Sequence, residues 1–249
     1  MYNTLGAVQG NMTRERGPAG VFSAVRIASK SFSEAGKPGM LIQHFKDSNA
    51  EEGQRKRASQ NSVAVLANEI STYLFGYLEG FRIPTHFVEK VSEADMLVHK
   101  LVMFPLEVQV HNVAAGSYAR RFGLKEGLEL SFPVIEHHYK KPDLGNPLVN
   151  EFHIYSMGVA TPEQLRAINR LASKANVVLR SFFERRGLKL VSFVLEFGLS
   201  GSQIMIGDEI SPRTCVLSDL QSKAKTGKHS FNGHEIDHSV IRNRVFGIV

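Results

Sequence analysis

The chain is expected to fold in the α+β class, and three features of its sequence say so. Residues 190–210 alternate like two strands of a hairpin, other strand-like segments come in runs ahead of it, and two long stretches carry helical apolar stripes. At 249 residues, with 43% apolar and 22% charged side chains, the chain is long enough for one large domain or two lobes with ample core.

The hairpin organises the rest. Residues 190–199 and 203–210 read as strands joined by Ser200-Gly201-Ser202. Alternation puts Ser192, Val194 and Glu196 on one face, with Val191, Phe193, Leu195 and Phe197 on the other. A three-residue loop pairs Leu199 with Gln203 and leaves Asp208 diagonally across from Glu196 on the same face, roughly 6–8 Å away. A two-residue loop would set them on opposite faces unless a bulge intervened. Two carboxylates on one face beside apolar strands suit a hard cation such as Mg²⁺, the alternative being a solvated hairpin face.

Taken in order, residues 1–20 lack periodicity and read as a loose arm. Strands are expected at 21–33 and 40–46 around the turn-rich Glu34-Ala35-Gly36-Lys37-Pro38-Gly39. A charged stretch with Arg55-Lys56-Arg57, read as solvated, leads into a helix over 60–79. There Val63, Leu66, Ala67, Ile70, Tyr73, Leu74 and Tyr77 recur at helical spacing and Gly80 supplies the stop. Segments 85–91, 96–104 and 107–113 look like strands, with Pro105 interrupting the last two. Ala114-Ala115-Gly116 allows a tight turn, and Ser117 is expected to cap a short helix ending at Gly123, with Arg120 and Arg121 nearby. Strand follows at 128–140, then an irregular loop through Glu151. Thr161-Pro162-Glu163-Gln164 is a strong helix start, and that helix runs to about Arg186 with Leu165, Ile168, Leu171, Ala175, Val178, Leu179 and Phe182 on its buried stripe. After Leu220 the chain turns basic and loosely patterned, then closes on a short apolar tail.

Composition narrows the function classes. No run approaches the ~20 apolar residues of a membrane span, and the first residues lack a signal peptide's apolar core. A single cysteine, Cys215, excludes an intramolecular disulfide and fits a reducing compartment, so a cytoplasmic location is expected. The net charge of +6 favours anionic ligands without singling out nucleic acid. Gly227-Lys228 fails the phosphate-loop pattern because His229 follows it. His234-Glu235-Ile236-Asp237-His238 spells the zinc-hydrolase motif, but Asn232 and Gly233 weaken a helix there, and chance surface histidines explain it better. His137 and His138 adjoin on a strand, so their side chains diverge and do not readily chelate one ion.

Four dispersed motifs in register carry a resemblance: PLEVQVHNVAAGS (105–117), NPLVNE (146–151), LVSFVLEFGL (190–199) and GDEISPRTC (207–215). Over residues 24–220 the chain resembles SAICAR synthetase, the ligase that joins aspartate to a carboxyaminoimidazole ribonucleotide using ATP. The resemblance implies two lobes around an ATP cleft: a nucleotide-binding lobe of residues 1–105, rich in antiparallel strands, and an α+β lobe of residues 106–249. The hinge would lie near Met103-Phe104-Pro105. It implies ATP and Mg²⁺ as cofactors, held by Lys30, Leu101, Met103, Glu196 and Asp208, with Glu196 and Asp208 on the metal. Lys30, Glu196 and Asp208 would be the catalytic set. His111, Ser117, Lys140 and Arg213 would stand on the substrate side. The implied partners are a ribonucleotide and aspartate or another amine. A homo-oligomer is implied as well, without nucleic acid or membrane.

The substrate half departs from the family pattern. His111, Val216, Arg213, Ser192 and Asn146 stand where the family has Arg, Arg, Asp, an acid and Asp; Ile27 and Ala28 replace a glycine and a lysine near Lys30. A short imidazole does not replace a bidentate guanidinium. Competent ATP binding with weakened turnover on the family substrate is therefore expected unless Arg213, Arg120 or Arg121 compensates. Two alternatives stand beside the plain family activity: a paralogue acting on a related ribonucleotide in modified-nucleoside biosynthesis, and a nucleotide-binding protein without ligase activity.

Overall fold

Two antiparallel sheets joined by one apolar core make up the computed structural model, which describes residues 30–47, 62–220 and 238–247. The arm 1–20, the start of the 21–33 strand with Ile27 and Ala28, Arg55-Lys56-Arg57, Gly227-Lys228 and His234-Glu235-Ile236-Asp237 lie outside these residues. The smaller sheet holds β1 (Lys30–Glu34), β2 (Met40–Phe45), β3 (Phe87–Lys90) and β4 (Asp95–His99) in the order β1-β2-β4-β3. The larger holds β5 (Val102–Val113), β6 (Glu129–Tyr139), β7 (Leu148–Val149), β8 (Leu188–Ser200), β9 (Gln203–Gly207) and β10 (Cys215–Asp219). Its order is β10-β8-β5-β6-β7, with β9 also on β8.

The helices are α1 (Val63–Gly80), α2 (Gly116–Phe122), α3 (Glu151–Ser156), α4 (Pro162–Glu184) and α5 (His238–Phe246). The start of α4 is as expected: the Thr161 hydroxyl accepts from the Gln164 amide at 3.2 Å, and the Gln164 side chain returns to the Thr161 amide at 2.8 Å. Its buried stripe, Ile168, Ala172, Ala175, Leu179 and Phe182, belongs to the core that also takes Val108, Val110, Phe193 and Leu195 from the sheet. Burying a side chain the size of Leu179 or Phe182 contributes about 1.5–3 kcal/mol. No described helix is long and apolar enough to cross a membrane.

Several expectations change. The β8–β9 turn has two residues, Gly201 and Ser202, because Ser200 pairs with Gln203 and Glu196 with Gly207. Gly201, at φ +59°, supplies the left-handed residue that so tight a turn needs. Pro105 does not divide a strand: β5 runs through it, and the β5–β8 ladder shifts register between Met103 and Glu107, so proline's missing donor costs no ladder bond there. Ser117 is not the cap of α2; Ala115 occupies that position, and Glu126 accepts from the Gly116 amide at 3.0 Å. Helix α3, strand β10 and helix α5 were not expected. Helix α3 is six residues long, too short for a legible period, although Asn150 and His153 form its capping box. Strand β10 is stabilised by pairing with β8, and α5 by packing on α1. There Arg242 binds Glu69 at 2.8 Å and Phe246 meets the Tyr73 ring edge-on at 5.2 Å.

Candidate active site

One edge of β8 serves two partners: β10 pairs its residues 188–193 and β9 its residues 196–200. The chain leaves β9 at Gly207 and re-enters at Cys215, so residues 208–214 loop out beside Glu196. This loop is tied internally. The Ser211 hydroxyl donates to Glu209 at 2.7 Å, the Ser211 amide reaches the Thr214 hydroxyl at 3.0 Å, and the Thr214 carbonyl accepts from the Val194 amide at 2.9 Å.

The two-residue turn sets Asp208, by alternation, on the face opposite Glu196. The strand ends there instead. Asp208 adopts φ +64°, a left-handed conformation that turns its carboxylate back, and its charge acts directly on Glu196. Burial and this Asp208 repulsion push the Glu196 carboxyl above its usual range, while Lys140 and Lys30 oppose the shift. Lys140 binds both Glu196 oxygens, at 2.7 and 2.6 Å, and is held at the end of β6 by the hydrogen bond its backbone amide donates to the Pro105 carbonyl at 2.9 Å. Lys30 hydrogen-bonds Asp208 and lies 3.0 Å from Glu209. Burial works against its charge, but Asp208 and Glu209 outweigh it and raise the ammonium pKa above its ordinary value.

Leu101 and Met103 form the apolar side. A Cβ on Gly198 would meet the Leu101 Cβ at 2.7 Å and the Met103 Sδ at 2.9 Å; one on Gly207 would meet Leu101 at 3.1 Å. The glycines of LEFG and GDE are thus where Leu101 and Met103 press on the hairpin.

The remaining polar groups follow from sheet register. Directly opposed residues share a face, so β8, β5 and β6 present three rows: Glu196–Glu107–His138, Val194–Gln109–Glu136 and Ser192–His111–Val134. The first and third rows lie about 13 Å apart along the strands. In the third row His111 is buried at 3% exposure, stacks on Tyr118 at 4.4 Å and reaches Glu136 at 3.2 Å. Arg121 binds both Glu136 oxygens, at 2.8 and 2.7 Å. Burial disfavours the charged Glu136, but hydrogen bonds from His111, His138 and Arg121 prevail and hold its carboxyl well below the usual range. Ser117, exposed, stands one helical turn before Arg121 on the same face of α2.

Lys30, Leu101, Met103, Lys140, Glu196 and Asp208 therefore gather at the hairpin root, whereas His111 and Ser117 lie farther along the sheet. Arg213 does not join the latter. It binds Glu209 at 3.3 Å and lies 5.7 Å over the Phe45 ring, on the Lys30 side. Glu107, which faces Glu196, and Glu209, the second partner of Lys30, are not among the site residues the sequence motifs single out. The alternation of Glu107, Gln109 and His111 was the available signal for the first.

The donor set fits a hard cation. Among the described residues no group of three or more His, Cys, Asp and Glu gathers at metal-binding range. Paired carboxylates that repel each other suit Mg²⁺, which commonly takes one or two carboxylates and completes its shell with water and phosphate oxygens.

The SAICAR synthetase family model matches residues 29–247. The phosphoribosylaminoimidazole-succinocarboxamide synthase of Chloroherpeton thalassium is 41% identical over 223 residues, which cover 88% of this chain and 95% of that protein. The crystal structure of the enzyme of the same name from Ehrlichia chaffeensis superposes with a TM-score of 0.71 at 36% identity, over 78% of this chain and 84% of its own. A SAICAR synthetase solved in complex with ADP gives a TM-score of 0.76 at 34% identity, over 88% and 95%. With the family model spanning nearly every described residue and the relatives matched along most of their own length, the chain belongs to the SAICAR synthetase family.

Proposed function

We propose that the chain is an ATP-dependent ligase that forms an amide on a carboxylated imidazole ribonucleotide, with aspartate as the amine and Mg·ATP as the activating substrate. The observation that carries this reading is the convergence of Lys30, Lys140, Glu196, Asp208 and Glu209 at the hairpin root, against Leu101 and Met103. The smaller sheet with α1 is the nucleotide-binding lobe and the remainder the substrate lobe, divided near residue 105. Mg²⁺, held by Glu196 and Asp208, supplies neutralisation of phosphate charge when bound.

The substrate carboxylate attacks the terminal phosphorus and ADP leaves; the amine then adds to the acyl phosphate carbon and phosphate leaves. Lys30 and Lys140, fixed by their carboxylate partners, keep two ammonium groups where charge develops on the phosphoryl oxygens. Leu101 and Met103 exclude water on the nucleotide's base side. Cys215, buried in the core, takes no part.

Arg121 and Ser117 form the anion-binding end of the substrate trough. His111 does not touch the ribonucleotide; it orients Glu136, which fixes the Arg121 guanidinium. Arg121 thus puts a bidentate donor back at the end where the family arginine is missing. The expected weakening of turnover is accordingly no part of this reading, and neither alternative is favoured by the relatives. A homo-oligomer is part of it, supported by the exposed Phe132, Leu148 and Phe152 at the β6–β7 end of the sheet.

The test is steady-state turnover with carboxyaminoimidazole ribonucleotide, aspartate and Mg·ATP. ADP release is expected to match succinocarboxamide formation one for one and to require aspartate. Tight Mg·ATP binding with no aspartate-dependent ADP release would overturn the reading.

A further inference from the structure

The left-handed turn that brings Asp208 to Glu196 is held from the other sheet. Gln43, in the middle of β2 and fully buried, donates from Nε2 to the Asp208 carbonyl at 3.1 Å. His86, 3% exposed, hydrogen-bonds the same backbone unit through its ring. Its position follows from the segment before β3. Ile206 donates to the Pro84 carbonyl at 3.0 Å, His86 donates to the Ile206 carbonyl at 2.8 Å, and Thr85 forms a parallel bridge with Ile206. This short graft onto β9 carries the imidazole to the next residues of the chain.

Both side chains are costly as packing elements. Gln43 Oε1 and His86 Nε2 are buried without a hydrogen-bond partner, a penalty that an apolar side chain of similar shape would avoid. What each provides in return is its donor to Asp208. We propose that Gln43 and His86 are positioning residues that clamp the Asp208 backbone in the left-handed region, so that its carboxylate stays on the Glu196 side before metal or nucleotide arrives. This rests on the reading of Glu196 and Asp208 as the Mg²⁺ site. It adds that residues of the smaller sheet, neither of them a metal ligand, determine how well that site is preformed.

The experiment is calorimetric titration of ATP, with and without Mg²⁺, on the full chain carrying Gln43→Met, His86→Phe, His86→Asn or Asp208→Asn, with crystal structures of the unliganded variants. Gln43→Met and His86→Phe keep volume and remove the donor; each is expected to cut the Mg²⁺-dependent gain in ATP affinity about three- to tenfold. Metal-free ATP affinity should stay within about twofold. His86→Asn, whose amide nitrogen stands near the place of Nδ1, should restore the gain. An undiminished gain in Gln43→Met and His86→Phe, alongside its loss in Asp208→Asn, overturns the clamp and leaves the metal reading intact. A gain retained in Asp208→Asn overturns the metal reading instead, and the structures then decide the clamp: departure of residue 208 from positive φ in the donorless variants supports it, and retention in both overturns it. Should His86→Phe fail to fold, Gln43→Met and Gln43→Glu give the same readings.

Discussion

Glu196 lies directly across the hairpin from Gly207, yet it is the next residue, Asp208, whose carboxylate acts on it. A regular strand would have sent Asp208 to the opposite face. The left-handed backbone at φ +64° reverses that, at a conformational cost of about 1–2 kcal/mol for a residue with a Cβ. Two carboxylates that repel each other are thereby brought together at the root of the hairpin.

Asp208→Asn should keep the fold and lose the charge. Its Mg²⁺-dependent ATP affinity is expected to fall about 10- to 150-fold, the worth of one charged contact, while metal-free ATP affinity changes little. Calorimetric titration with and without Mg²⁺ checks this, and equal Mg·ATP affinity in the two proteins would remove Asp208 from the metal site.

Gly198→Ala tests the contact of the hairpin with Leu101 and Met103. The added Cβ would stand 2.7 Å from the Leu101 Cβ, close to the backbone, so the segment around Leu101 has to shift. A stability loss of about 1–3 kcal/mol is expected, together with weaker binding of ADP in the absence of metal. Thermal unfolding and ADP titration read the two effects separately.

Among the substrates, Arg121→Ala should act on the ribonucleotide alone. Loss of a charged contact of about 1.5–3 kcal/mol predicts a fall in kcat/KM for the ribonucleotide of roughly 10- to 150-fold, with the KM for ATP unchanged. Arg121→Lys should recover only part of this, since an ammonium does not reproduce the fork. An unchanged ribonucleotide KM in Arg121→Ala would return this end of the trough to another residue.

Glu136→Gln carries a pH signature. The folded-state pKa of Glu136 lies below its unfolded value, so its stabilisation is fully present above the unfolded carboxylate range and is lost as pH falls through that range toward the folded pKa. At pH 7 the variant should be less stable by about 1–3 kcal/mol, because it removes the charged hydrogen bonds to the half-exposed Arg121. Below about pH 4.5 the difference should shrink steadily. Urea unfolding of both proteins from pH 7 to pH 3 measures it; a constant difference would show that Glu136 is not held ionised by this network.

Local signals carried much of the fold and of the candidate site. The capping box at Thr161 and Gln164, the 3.6-residue stripe of α4 and the alternation of β8 are short-range patterns, and each element formed where its pattern lies. Glu196 and Asp208 could likewise be named from motifs in register, and Lys30, Leu101 and Met103 only from the wider family resemblance. Lys30 lies on Asp208, and Leu101 and Met103 lie against Gly198.

Long-range pairing decided the rest. Strand β10 has no alternation of its own strong enough to announce it and exists because the free edge of β8 needs a partner. Nothing local in Gln43 or His86 points to Asp208, 165 residues beyond Gln43 in the first case. Nor does local sequence distinguish a two-residue turn with a left-handed Asp208 from a three-residue turn with a regular strand; both put the carboxylates together, by different backbones. Arg213 shows the same limit, since its charge was legible but its direction was set by Glu209 and Phe45. Composition and periodicity determine which residues are buried and which face a strand presents, because those depend on nearest neighbours along the chain. Which charged groups meet is decided by contacts between segments far apart in sequence, where register, a bulge at Pro105 or one positive φ moves a side chain from one face to the other.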